Sequence, residues 1–437
     1  MPNPEVPWPA PPPSRRSFLA LSGLTALSVS LTAACGGDDS GGKPAAGGKV
    51  TFAWWNIATT EPGKSLFPQI SSAFTAAHPD ITIKTTSLEN EAFKSKLTAT
   101  TSSGKLPDVF QTWGGGVLQQ QVDAGLVEDL TDAFGWSSDL TPVSLQAYQF
   151  EGRTYGVPYD VGMVGFWYNK KLFAKAGITA PPATWAELLE DVRKLKAAGI
   201  TPIALAGKEK WPGHYYWAYL AMRVAGLPAL QQAATTKDFT GAGFVQAGAH
   251  LKELVDLQPF QTAFLGAGYA TPGGQAATMG NGKAAMELMG QWGPSVQKDA
   301  GADLGADLGF FPFPTVDGGV GQVTEVFGGG GGFALRKGAP KEALDFLKFF
   351  VLENQSKLLA SNGYLPVVKG AESQLADPNR KVVADSLVKA TGFQLFLDQA
   401  YPPAVGQEVN DSVADLIAGK KTPEQVTKSI TEAAKGA

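Results

Sequence analysis

Apolar positions in the first third of this chain alternate between two spacings. VTFAWWNI, from Val50, is a mostly apolar run with β-branched and aromatic side chains and reads as a buried strand. SLFPQISSAFTAAHPD follows with Ile70, Phe74 and Ala77 on one helical face. ITIKTTSL, from Ile81, alternates with period two and reads as a second strand. ENEAFKSKLTATTSSG reads as a helix closed by Gly104, LPDVFQTW as a third strand and VLQQQVDAGL as another helix. This order predicts an α/β domain with a mostly parallel sheet. Further on, TWAELLEDVRKLKAAG carries a capping box, Thr184 with Glu187, and Gly199 past its end. PIALAG reads as a short buried strand, and the chain from Tyr215 to Gly332 as helix-rich with glycine-rich loops. APKEALDFLKFFVLEN starts a helix at Pro340, with Leu344, Leu347 and Val351 repeating. TPEQVTKSITEAA closes the chain as an amphipathic helix with a second capping box, Thr422 with Gln425.

The front of the chain has a different pattern. Arg15 and Arg16 precede a stretch, Phe18 to Ala34, without a charged residue. It is too short and too rich in Ser and Thr to span a bilayer comfortably, and it has the composition of an export signal. SRRSFL resembles the twin-arginine signals of bacteria, with Ala20 where a lysine is common. LTAAC resembles the lipobox of bacterial lipoproteins, with Thr32 where leucine is commonest. The resemblance implies cleavage before Cys35 and attachment of diacylglycerol to its thiol, two acyl chains being enough for stable anchoring. Residues 1–34 are therefore expected to be a twin-arginine-type lipoprotein signal peptide, and 35–48 the lipidated cysteine and a flexible tether. The protein would then sit outside the cytoplasm, anchored to the outer face of the cell membrane. A soluble export protein with an incidental Cys35 and an uncleaved anchor are the alternatives. Cys35 is the one cysteine, so an intramolecular disulfide is excluded.

Roughly 390 residues after the tether suggest two or three domains. With 44% hydrophobic and 17% charged residues, a large core is available. A net charge of −4 argues against nucleic-acid binding. His78, His214 and His250 are far apart and lack partners at ligand spacing, which argues against zinc. A G-x-S-x-G elbow is absent, and VFGGGGGF, from Val326, lacks either phosphate-loop spacing. That glycine run reads first as backbone freedom or close packing and second as ligand contact. The sequence supports neither a metal site nor a cofactor, and we read the chain as a binding protein and not an enzyme. Its conspicuous chemistry is aromatic. Trp54-Trp55, Trp113, Trp211, Tyr215 and Trp292 stand mostly in loops or at element ends, many beside Gly or Pro. In open α/β sheets ligands bind at the carboxyl ends of strands. A sugar ring stacks its C–H face on such aromatics, and its hydroxyls need Asn, Asp, Glu, Gln or His nearby. Core packing is the competing explanation for each tryptophan.

Six stretches, in order, resemble the extracellular solute-binding proteins of family 1, the carbohydrate-binding components of ABC importers. They are AFTAAHPDITIK from Ala73, GKLPDVFQTW from Gly104, YGVPYDVGMVGFWYNKKLFAKAGI from Tyr155, PPATWAEL, GNGKAAMELMGQW from Gly280, and GYLPV from Gly363. The resemblance implies an α/β, two-lobed periplasmic-binding-protein-like (type II) fold, its discontinuous lobes joined by a hinge with the ligand cleft between them. Crossings are expected near Val157–Pro158, near Phe311–Pro314, and around or after the helix from Pro340. That gives a first lobe of 49–157 with a return segment 313–350, and a second lobe of 158–312 with 351–437. The implied partners are a carbohydrate, the membrane-embedded ABC permease subunits and their cytoplasmic ATPase, and the implied state is a monomer. The resemblance also places site residues. Trp54, Asn56 and Glu61 lie at or after the first strand, and Trp113 and Gly114 at the third strand's end. Asp160 lies past the first hinge, where a hinge hydrogen bond to backbone is its alternative role. Trp211, His214 and Tyr215 fall in a loop of the second lobe. Trp292 would stack on the ring, and Glu325 precedes the glycine run, with plain surface exposure its alternative. The number of stacking faces favours a di- or trisaccharide. A binder of a peptide, polyamine or metal ion, or a tethered glycoside hydrolase, remain the rivals.

Overall fold

The computed structural model describes residues 48–437; the expected signal peptide, Cys35 and the tether as far as residue 47 lie outside the described residues. The first sheet has the order Ile81–Ser87, Val50–Asn56, Val109–Thr112, Gly332–Leu335, Val157–Pro158. Its first three strands are parallel, and Gly332–Leu335 runs antiparallel to both its neighbours. The expected parallel arrangement therefore holds at one edge, and a return strand from far along the chain completes the sheet. A second, four-stranded sheet has the order Leu308–Phe311, Gly165–Asn169, Ala284–Met289, Thr201–Ile203. A third, Gly392–Leu395, Glu325–Gly329, Gly162–Met163, joins segments far apart in sequence. Thr184 and Thr422 cap their helices with Glu187 and Gln425 as their spacing predicts.

The first lobe's core gathers on Trp54, whose ring stacks on Phe67 and meets Phe333, Phe346 and Phe350 edge-on. The second lobe's core surrounds the helix Trp211–Val224, every residue of which is buried. Pro212 at the start of this helix suits a position whose N–H is unpaired anyway. The Trp-Pro-Gly stretch expected as loop is thus a helix start. The helix expected from Pro340 runs as α-helix only over Lys341–Lys348. It then widens into turns bonded five residues apart, such as Leu359 N–H to the Asn354 carbonyl at 3.1 Å. Val351, Leu359 and Val367 pack in the first lobe's core, Ala360 and Leu365 in the second lobe's, so this stretch bridges the two. Among the described residues no helix is long and apolar enough to cross a membrane.

Candidate functional site

The strands of the two lobes converge on one cavity of about 660 Å³. Its wall is built from residues just past the strand ends. Glu61 comes after Val50–Asn56, Glu89 after Ile81–Ser87, Trp113 after Val109–Thr112 and Tyr159 after Val157–Pro158. Gln291 comes after Ala284–Met289, and Phe396 after Gly392–Leu395. Strand carboxyl ends bring side chains from many segments to one place, which is why ligands bind there in open α/β sheets. The volume lies within the roughly 300–1,000 Å³ of small-molecule sites.

Aromatic rings from both lobes face this space. Trp113 stands on the first lobe, edge-on to Phe93 at 6.0 Å. On the second lobe Tyr215 stacks on Phe396 at 5.6 Å, Trp211 meets Tyr269 edge-on at 5.3 Å, and Trp292 meets Phe396 edge-on at 5.9 Å. The second-lobe rings hold one another in place, while the face of Trp113 carries the Lys94 ammonium at 5.6 Å from the ring centre.

The polar groups between them are mostly acceptors. Carboxylates of Glu61, Glu89, Glu91, Asp160, Glu209 and Asp398 line the wall, against the cations Lys94 and Lys208. Lys94 lies 3.4 Å from Asp398 and 3.5 Å from Glu91. Against the opposing effect of burial, Lys94 holds the Asp398 carboxyl below its ordinary range. Burial pushes Glu209 up to about 7, opposed by the hydrogen bond it accepts from Tyr269 N–H and reinforced by Glu89 and Glu91. Burial likewise raises Asp160 to about 6. Asp160 Oδ1 accepts from Leu365 N–H at 2.8 Å and Oδ2 from the Gln291 amide at 2.7 Å. Two buried polar atoms of wall residues, Tyr269 OH and Gln291 Oε1, have no hydrogen-bond partner among the described residues. Such orphans are costly unless something occupies the cavity and satisfies them.

Of the residues expected from sequence, Glu61, Trp113, Asp160, Trp211, Tyr215 and Trp292 come together on this wall. The backbone bond weighed for Asp160 is present too, to Leu365. Five others are elsewhere. Trp54 is fully buried in the first lobe's core, because Phe52, Trp54 and Asn56 share the inward face of their strand. Asn56 is also fully buried, and its Oδ1 accepts from Ser87 Oγ and Ala58 N–H, so it shapes the loop behind the wall. His214 packs edge-on to Phe327 inside the second lobe, and burial lowers it to about 4, so it is a neutral core residue. Glu325 begins its strand, about 13 Å of extended chain before the strand end that faces the cavity; its carboxylate caps Gln322 N–H. Gly114 is buried as the turn after Thr112, at φ 74° and ψ −151°, a conformation essentially reserved for glycine. A Cβ there would lie 2.2 Å from the Ala147 carbonyl oxygen. Gly114→Ala is expected to destabilise the protein by about 2 kcal/mol or more, read as a lower denaturant midpoint; an unchanged midpoint would show that the turn is not constrained.

Sequence reasoning passed over Gln111, Tyr159, Glu209, Tyr269, Gln291 and Phe396, all on the wall. Gln291 had a signal, its place beside Trp292 at a strand end. Tyr269 stands in a loop with no pattern to mark it. The glycine run is closely packed, the first of the two readings weighed for it, and part of it reaches the cavity wall. Gly330 and Gly331 line the cavity, and a Cβ on Gly330 would come within 1.9 Å of the Asp160 carbonyl oxygen.

A profile for the bacterial extracellular solute-binding proteins matches residues 58–355. The chain belongs to this family. The chain is 26% identical to an ABC transporter extracellular-binding protein of Pyrococcus horikoshii, over 87% of this chain and 85% of the relative. It is 26% identical to the diacetylchitobiose binding protein of Streptomyces coelicolor, over 83% of this chain and 84% of that one. A solved structure from work on xylan utilisation by Caldanaerobius polysaccharolyticus superposes with a TM-score of 0.82 at 29% identity, over 88% of this chain and 99% of that chain. The two-lobed α/β architecture of this solute-binding protein is thus that of its family.

Proposed function

We propose that this protein captures a short oligosaccharide between its lobes and delivers it to an ABC importer. One observation carries the reading: ring faces from both lobes meet in a single cavity whose remaining wall is rich in hydrogen-bond acceptors. Stacking suits the C–H faces of sugar rings, and carboxylates and amides suit their hydroxyls. A binding protein gains from enclosing its ligand, because dry walls strengthen each hydrogen bond. Glu61 N–H already reaches the Asp299 carboxylate across the opening at 3.3 Å, a contact suited to a closing cleft. The relatives named for a chitin disaccharide and for xylan utilisation support a β-linked oligosaccharide as the class to try first. We assign the hinge to the crossings at Val157–Pro158 and at the glycine run 329–332 and to the bridging stretch 351–367. Phe313, Val316 and Phe327 pack in the second lobe's core, so the crossing expected near Phe311–Pro314 falls later, where Gly329 pairs with Gly162 and Gly332 with Thr112. In the same reading the protein acts as a monomer, exported through the twin-arginine-type signal and held by a lipid on Cys35 at the outer face of the membrane, beside the permease it feeds.

A thermal-shift screen of the purified protein against mono- and oligosaccharides tests this. A sugar that binds only the folded state raises the midpoint by mass action. Stabilisation by a di- or trisaccharide is expected. A screen in which no sugar shifts the midpoint while a peptide or polyamine does would contradict it.

A further inference from the structure

Gln291 lies at the carboxyl end of Ala284–Met289, next to Trp292, and is 1% exposed. Its amide nitrogen donates to Asp160 Oδ2 at 2.7 Å. An ionised carboxylate can only accept, so Asp160 dictates which way this amide faces. The amide also packs on Gly162, where a Cβ would come within 2.1 Å of both its Cδ and Oε1. The side chain is held from two sides, and the atom left over is a carbonyl oxygen, buried on the cavity wall and without a partner among the described residues. Asp160 is itself held by Leu365 N–H. The Gln111–Tyr159 pair beside it is self-satisfied, with bonds of 2.9 and 3.2 Å in both directions.

We infer that Gln291 is a specificity-determining residue, whose Oε1 accepts a hydroxyl or amide proton from the sugar ring stacked on Trp292, and that Asp160 is the positioning residue that keeps this acceptor turned toward the ligand. The inference rests on the sugar-binding reading above and extends it to one atom. It also makes recognition depend on pH. The groups facing Asp160 are the Arg380 guanidinium and the hydroxyls of Tyr148, Tyr159 and Tyr364. Burial holds all three tyrosines above their ordinary range, so Asp160 is the group among these that titrates near neutrality, at about 6. Protonated Asp160 becomes a donor. The amide then has reason to turn, offering its carbonyl to Asp160 and its NH₂ to the ligand, and the acceptor is lost.

Titration calorimetry of the purified protein with diacetylchitobiose and with xylotriose, at about pH 8 and about pH 5, tests this on either side of the Asp160 transition. For a sugar that the unaltered protein binds, affinity is expected to fall at the lower pH. Gln291→Leu should weaken binding roughly tenfold or more at the higher pH. Asp160→Asn should lessen the fall in affinity at the lower pH, leaving only the part due to Glu209, which titrates at about 7 on the same wall. Gln291→Glu keeps the shape, but the new carboxyl can lean on Asp160 only through a shared proton. Its binding should therefore rise toward about pH 5, opposite to the unaltered protein. Midpoints of unfolding without sugar identify any variant that is simply misfolded, and Gln291→Glu and Asp160→Asn then carry the test. Gln291→Leu binding within about twofold of the unaltered protein, or Asp160→Asn retaining the full pH dependence, would overturn the inference. Where neither of these two binds, the sugar giving the largest shift in the thermal screen takes their place, and a screen with no sugar bound and a peptide or polyamine bound would instead overturn the reading on which the inference rests.

Discussion

Trp292→Ala is expected to weaken oligosaccharide binding by about 2–3 kcal/mol, roughly a hundredfold, while leaving the fold intact. The side chain is half-buried and stands at the cavity, edge-on to Phe396 at 5.9 Å. Its indole folds back over Gly290, where a Cβ would lie 2.1 Å from the ring, so this glycine sets the ring's orientation. Truncation therefore removes a wall of the site and opens no hole in the core. The free energy lost is the dispersion and desolvation of one sugar face, which is what a well-packed aromatic anchor contributes. Calorimetric titration reads it directly. An unchanged affinity, with the unfolding midpoint also unchanged, would place the sugar elsewhere.

Trp54→Ala should do the reverse. This ring is fully buried and touches Phe67, Phe333, Phe346 and Phe350 at centroid distances of 5.1 to 5.9 Å. Those four partners come from three segments, so the ring ties the first strand to the helix Gly63–Ala77, the return strand and the helix after Pro340. Removing it loses the transfer free energy of the indole and leaves a cavity that rigid aromatic neighbours cannot fill. A loss of about 3–5 kcal/mol of stability is expected. Its indole N–H has no hydrogen-bond partner among the described residues, so no polar bond is sacrificed. Chemical denaturation measures the effect. A variant of normal stability that fails to bind sugar would restore Trp54 to the site.

The contrast between these two tryptophans shows what the sequence makes legible. Element order, both capping boxes and the strand-end positions of Trp113 and Trp292 can be read from local patterns, because they depend on neighbours a few residues away. The period-two alternation Phe52, Trp54, Asn56 already puts Trp54 and Asn56 on one strand face with a core phenylalanine, and that spacing outranks their closeness to the loop. His214 is harder to read, since the Trp-Pro-Gly before it looks like a loop and is a helix start. Trp211 and Tyr215, one helical turn apart, reach the cavity while His214 turns into the core. The Asp160–Gln291–Leu365 arrangement cannot be read from sequence at all. Gln291 and Leu365 lie 131 and 205 residues from Asp160, and only the tertiary closure of the lobes brings them together.

The central claim is that one oligosaccharide lies between the lobes, against Trp113 on one side and Trp292 on the other. A crystal structure of the protein grown with the sugar that stabilises it most tests this most directly. The account predicts a sugar ring stacked on Trp292, with a ring hydroxyl or amide proton donated to Gln291 Oε1. A sugar bound on another surface, with this cavity filled only by water, would contradict it.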